Sequence, residues 1–316
     1  MKKILVTAIG SFSADVVIRN LTGAGYKIVG CDIYEKDWVA NSLDVDRFYQ
    51  SPYATCQEKY IEFIKEVCIK EEIEYVVPLT DVEVDVLNKN RSQLDGIKIC
   101  ISGEQTIRVC RDKYNLYNYL KEAGISCLIP TILLSEADVE NIEVPSVIKP
   151  RDGRSSQGLN YFESKENLVR FMNESETENY VFQPKIEGSV VTVDIVRNKD
   201  FFMATPRLEL LRTLNGAGTS VRVFQDKNLI DIAREIADIL NIHGCVNFEF
   251  IKSIDGEYRF LECNPRFSGG VAFSCLAGYD YIVNHIRCFT EEMMDEVSEI
   301  QKMTVARKYV EKITRV

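Results

Sequence analysis

The sequence predicts a parallel α/β unit followed by an α+β part with antiparallel sheets. Short apolar runs alternate with an amphipathic helical stretch up to about residue 110, and strand pairs with Gly-containing turns follow. At 316 residues the chain exceeds one small core, so two or three packed units are expected. Hydrophobic residues at 46% and charged residues at 27% are those of a globular chain, not a disordered one. No apolar run approaches the roughly 18 residues of a membrane span. The net charge of −10 argues against nucleic-acid or anionic-membrane partners, which want a basic face. A phosphate ligand, needing only local donors, stays open.

Residues 4–9 follow Lys2 and Lys3 as a secretory signal core would, but the run is too short and reads as a first strand ending at Gly10. Further strands are read at 27–33, 75–80 and 97–102, with a helix at 57–72 whose Tyr60, Ile64, Val67 and Cys68 share one stripe. This pattern is Rossmann-like over residues 1–110. Gly10 stands alone without the G-x-G-x-x-G that admits a pyrophosphate, so Asp32 reads as a strand-end acid and the unit as structural. A helix at 111–125 is capped by Asp112 and stopped by Gly124. Strand pairs are expected within 144–162, 179–197 and 246–270, with a helix at 229–240. No Pro-rich linker separates the units, so they should pack closely. Ten cysteines spread from Cys31 to Cys288 without a C-x-x-C pair read as buried thiols of a reducing cytoplasm. His243 and His285 are too far apart in sequence for a His-rich zinc site, and His285 reads as a packing residue. Trp38 and the tyrosines form no stripe and read as core or interface.

The chemistry concentrates in 246–266. VNFEFI alternates Val246, Phe248 and Phe250 against Asn247, Glu249 and Ile251, while YRFLECN places Tyr258, Phe260, Glu262 and Asn264 on one face. Asp255-Gly256 between them is a two-residue hairpin signal. Counting back from that turn pairs Glu249 with Glu262, Phe248 with Cys263 and Phe250 with Leu261. Opposed carboxylates destabilise a hairpin unless neutralised, and two carboxylates with an amide oxygen suit Mg2+. Solvated carboxylates on an exposed hairpin are the plainer alternative; Arg266 and the following Ser-Gly-Gly weigh against it. A second constellation, VIKPRDGRSSQG (147–158), delivers Lys149 and then a Gly/Ser loop able to fold over phosphate oxygens, without a Walker signature.

Together these segments resemble the ATP-grasp superfamily, above all over 111–270 and in the style of the carbamoyl-phosphate synthetase large subunit and related carboxylate–amine ligases. The resemblance implies a Rossmann-like domain at 1–110, a small ATP-grasp subdomain with its linking helix at 111–185, and a C-terminal subdomain with the metal site at 186–316. It implies that Glu249, Glu262 and Asn264 hold Mg2+ (one or two ions, with Mn2+ as a substitute) and that Arg266 stabilises the transferring phosphoryl group. By the same match Lys113 and Lys149 contact the nucleotide, and Ser155, Ser156 and Gly158 cover its phosphates. Adenine would meet the backbone of Lys185 and Ile186 and the side chain of Gln183, where relatives often carry Glu. Val190 stands where many place a ribose-binding Glu, so Glu187 is the substitute. Related ligases use arginines near 205–223 on a substrate carboxylate or the reacting phosphate, which nominates Arg207 and, less strongly, Arg212. The implied activity is ATP-dependent ligation of a small carboxylate to an amine through an acyl phosphate, in the cytoplasm, with a homodimer as one assembly. The alternatives are phosphorylation of bicarbonate or carbamate, and nucleotide sensing without catalysis.

Overall fold

Local sequence sets the first sheet. In this computed structural model, which describes residues 2–316 except 139, 141, 155, 175, 176, 215, 291, 297 and 298, five short strands and four helices alternate through the first part. They are β1 (Lys3–Val6), α1 (Ala14–Gly23), β2 (Lys27–Asp32), β3 (Arg47–Gln50), α2 (Gln57–Glu71), β4 (Tyr75–Val77), α3 (Asp81–Lys89), β5 (Lys98–Ile99) and α4 (Glu104–Cys110). All strands are parallel, in the order β3-β2-β1-β4-β5. The helical stripe read from sequence is buried on α2: Tyr60, Ile61, Ile64, Val67 and Cys68. β3 escaped the sequence reading because RFYQ lies half-exposed on the sheet edge and carries no apolar run. Asp32 does act as a strand-end acid, accepting the Gly10 N–H at 2.7 Å and tying down the β1–α1 loop.

Next come α5 (Lys113–Glu122), β6 (Ile132–Leu133), β7 (Ser146–Pro150), β8 (Asn160–Phe162), α6 (Lys165–Glu174) and β9 (Tyr180–Pro184). Asp112 caps α5 as expected, accepting from the backbone N–H groups of Tyr114 and Asn115. The four strands form a small antiparallel sheet, β6-β9-β7-β8, over a core that includes Leu134, Ile148 and Leu168.

The remainder builds β10 (Gly188–Asn198), β11 (Phe201–Arg212), β12 (Gly218–Val223), α7 (Lys227–Ile239), β13 (Gly244–Ser253), β14 (Tyr258–Asn264), α8 (Val271–Leu276), α9 (Tyr281–Thr290) and β15 (Met303–Ala306). Its strands make one antiparallel sheet, β14-β13-β10-β11-β12-β15. The segment 179–197 is not the hairpin the sequence reading expected: β9 belongs to the small sheet and β10 to the large one. Gly188 makes that crossing possible, since a Cβ there would lie 2.2 Å from the Lys252 carbonyl oxygen. α1, α8 and α9 share one apolar core with residues of both the first and the large sheet, among them Ile4, Leu21, Val223 and Ile282, so the first unit is packed rather than tethered. Trp38, expected as core or interface, is 70% exposed beside Tyr34.

Candidate active site

The β13–β14 hairpin determines the site, and it reaches its register by two compensating irregularities. The turn is a three-residue loop, 254–256, closed by the Ser253 N–H donating to the Glu257 carbonyl at 2.9 Å, with Gly256 at φ +90°. That offsets the ladder by one, so Phe250 faces Phe260 and not Leu261. A β-bulge at Leu261 then restores the count, and Glu249 faces Glu262 as Phe248 faces Cys263. The bulge also corrects the faces: Tyr258 and Phe260, read from sequence as neighbours of Glu262, sit in the core with Phe248, Phe250 and Cys263. Glu249, Leu261, Glu262 and Asn264 line a cleft of about 970 Å3 between the three sheets.

Each carboxylate has its own cation. Arg212 donates to both Glu249 oxygens at 3.1 and 3.2 Å, and the Lys113 ammonium lies 3.9 Å from Glu262. Burial, helped by the Glu262 and Glu209 charges and opposed by Arg212, raises the Glu249 carboxyl above its usual range. Burial also works against ionising Glu262, but Lys113 and Lys149 prevail and hold it below. Asn264 donates to Glu262 at 3.2 Å and to Asn247 at 3.3 Å. Two carboxylates and an amide on one wall are hard oxygen donors that fit Mg2+, once the Asn264 amide turns its oxygen inward. Lys149, 8% exposed, has no hydrogen-bond or ion-pair partner for its ammonium among the described residues; burial lowers its pKa to about 8.

The loop between β7 and β8 roofs the cleft. Lys113 donates to the Gly153 carbonyl at 2.9 Å, and Gly158 has a positive φ of 71°. Ser156 also sits at positive φ (56°) and approaches Gly216 of the β11–β12 turn, while Ser155 lies outside the described residues. At the hinge the Lys185 N–H is taken by the Pro145 carbonyl at 3.0 Å. The Lys185 carbonyl and the Ile186 N–H have no backbone partner among the described residues, as adenine pairing requires. Gln183 is buried, its amide donating to Thr131 at 2.7 Å, which leaves only part of that amide for a ligand. Glu187 is exposed at the cleft rim, and its side chain has no ion-pair partner among the described residues.

Two arginines are committed to protein contacts. Arg266 forms a fork with Asp81 of the first unit, at 2.8 and 3.1 Å, and Asp81 is also 3.6 Å from Arg111. Despite burial, these two guanidiniums hold the Asp81 carboxyl below its usual range. Asp81 was invisible in the sequence because its partners lie far along the chain; only its place at the start of α3, behind the capping box of Thr80 and Glu83, marks it. Arg207 is 1% exposed, bonded to Asp194 and to Ser274 (2.7 Å) and Ser268 (3.1 Å), with Glu209 3.8 Å away. His285 accepts the Cys245 N–H at 2.8 Å, and burial lowers its pKa to about 3, so it is a neutral packing residue.

Known proteins share this architecture. Residues 176–312 match the family model described as ATP-grasp in the biosynthetic pathway with Ter operon, and residues 4–101 match the PylC-like N-terminal domain. The arginine-specific carbamoyl phosphate synthase large chain of Bacillus subtilis is 22% identical over 71% of this chain, which spans only 22% of that protein. The D-alanine–D-alanine ligase of Aquifex aeolicus is 28% identical over 54% of this chain and 64% of its own length. Among solved structures, N5-carboxyaminoimidazole synthetase from Staphylococcus aureus complexed with ADP superposes with a TM-score of 0.78 at 17% identity, covering 95% of this chain and 80% of that one. The biotin carboxylase domain of Hydrogenobacter thermophilus 2-oxoglutarate carboxylase, solved with MgADP and bicarbonate, also gives 0.78, at 20% identity over 95% of this chain and 72% of that one. The chain is thus similar to ATP-grasp proteins over residues 176–312 and to PylC-like proteins over 4–101, the two matches falling on the large antiparallel sheet and on the parallel first sheet.

Proposed function

We propose that the chain is an ATP-dependent carboxylate–amine ligase acting through an acyl phosphate. The observation that carries this reading is the Glu249–Glu262 pair with Asn264, facing Lys113 and Lys149 under a Gly/Ser loop in one cleft. A substrate carboxylate oxygen attacks the γ-phosphorus of ATP, and the bond to the bridging oxygen breaks, releasing ADP. An amine nitrogen then attacks the acyl carbon, phosphate leaves and the nitrogen loses a proton. Lys113 and Lys149 spread the charge developing on the transferred phosphoryl group, and Arg266, held rigid by Asp81, presents a fixed positive edge. Glu249, Glu262 and Asn264 would hold Mg2+, or Mn2+ in its place, which would supply neutralisation of phosphate charge. The roof loop, with Ser155, Ser156 and Gly158, keeps water from the acyl phosphate. Adenine lies on the hinge at Gln183, Lys185 and Ile186, with Glu187 at the ribose. Arg207, its guanidinium held by Asp194, Ser274 and Ser268, positions Ser268 on the wall nearest the acceptor substrate. The working units are 1–110, 111–185 and 186–316. The reading places the enzyme in the cytoplasm as a homodimer; among the described residues no helix is long and apolar enough to cross a membrane.

Phosphorylation of bicarbonate or carbamate is the second reading, favoured by the carbamoyl phosphate synthase relatives. A screen of carboxylic acids and amines for ATP-dependent phosphate release decides between them. Release that requires both an organic acid and an amine supports ligation; release with bicarbonate alone supports the second reading; nucleotide binding without turnover contradicts both.

A further inference from the structure

A second cavity, of about 570 Å3, opens where the edge strand β5 meets the large sheet, and it shares no lining residue with the catalytic cleft. Its charged residues are all cations: Arg91 and Lys98 from the first unit, Arg197 and Lys199 from the large sheet. No carboxylate lines it among the described residues, in a chain whose net charge is −10. Arg197 is paired with Asp238 at 2.6 Å, but Arg91, Lys98 and Lys199 have no carboxylate within ion-pair distance among the described residues. Arg91 uses its donors on the Asn88 side chain at 2.8 Å and the Ser102 carbonyl at 2.5 Å, and Lys98 donates to the Phe289 carbonyl at 3.3 Å with its ammonium 5.5 Å from the Tyr75 ring centroid, both neutral partners. Lys199 sits at φ +42° in the turn between β10 and β11, a backbone region that glycine or asparagine occupies at lower cost.

Between these cations the cavity wall is mainly apolar, with Asn241 and His243 as its uncharged polar members. Ile99, Ile101 and Ile242 are buried beneath it, and the Phe289 ring stands edge-on to His243 with centroids 4.7 Å apart. An inorganic anion would leave that wall wet, and an uncharged apolar molecule would leave three cations unmatched. The volume suits a small organic ligand. We infer that this cavity binds a small organic phosphate, with its apolar body on the isoleucine–phenylalanine wall and its phosphate between Lys98 and Lys199. Because the wall comes from both the first unit and the large sheet, the ligand bridges them at a distance from the catalytic cleft.

Phenyl phosphate is the probe, titrated calorimetrically against the full chain beside inorganic phosphate and phenol. Phenyl phosphate should bind about tenfold more tightly than either, and weaken as salt is raised. The double variant Lys98→Glu/Lys199→Glu should lose that binding by about tenfold or more. Both lysines are exposed, so the fold should persist, as circular dichroism would show. In the unaltered protein, phenyl phosphate should protect Lys98 and Lys199 from acetylation, read by mass spectrometry. Absence of binding, equal affinity for inorganic phosphate, full binding in the double variant, or unprotected lysines would each overturn the inference.

Discussion

The two faces of the β13–β14 hairpin are built from one alternating sequence and obey opposite physics. One face packs Phe248, Phe250, Tyr258 and Phe260 edge to face, with ring centroids 5.3 to 6.5 Å apart, and derives its stability from burial. The other sets Glu249 against Glu262 and is tolerable only because Arg212, Lys113 and Lys149 stand around the pair. The first face holds the strands in register; the second uses that register to place charge. The bulge at Leu261 joins them, since without it the three-residue turn would put Glu262 out of step with Glu249.

Substitutions on the two faces should therefore fail in different ways. Phe248→Ala, at a site with no exposure, should cost about 3–5 kcal/mol of stability, measured by denaturant unfolding, with activity falling only as the protein unfolds. Glu262→Gln should lower ATP turnover by at least about a hundredfold while the denaturant midpoint moves little, as steady-state ADP release and the same unfolding assay would show. A large stability loss in that variant would mean the acidic face also supports the fold.

Lys149 gives the comparison a pH signature. Its folded pKa of about 8 lies below the ordinary lysine value of 10.5, so between those limits the unfolded chain binds a proton the folded chain does not. Stability should rise with pH across that window and gain nothing from Lys149 below it. Over the same range Lys149 loses the charge that the proposed mechanism sets beside the phosphates, so kcat/KM for ATP should fall above pH 8; Lys149→Arg should move that limb upward. The smallest effect is expected at Arg212, whose side chain is 27% exposed. Arg212→Ala should change stability by less than about 1 kcal/mol and tighten Mg2+ binding about threefold, by freeing Glu249 of its competing cation.

Where structure is local, the sequence was readable. The Asp112 cap, the α2 stripe and the Glu249–Glu262 pairing each depend on residues a few positions apart or on one hairpin. Even there the pairing was correct through offsetting departures: the turn was one residue longer than its Asp-Gly signal implied, and Leu261 was the extra residue on the partner strand. Where tertiary packing decides, the sequence does not show which residues meet. Asp81 meets Arg266 across 185 positions, Gln183 meets Thr131 across 52, and β9 and β10 part into different sheets although they are adjacent in sequence.

The most direct test is calorimetric titration with a nonhydrolysable ATP analogue, with and without Mg2+, on the unaltered protein and on Glu249→Gln/Glu262→Gln. The account predicts that Mg2+ strengthens nucleotide binding strongly in the first and hardly at all in the second. An equal Mg2+ dependence in both would show that the opposed carboxylates do not hold the metal–nucleotide complex.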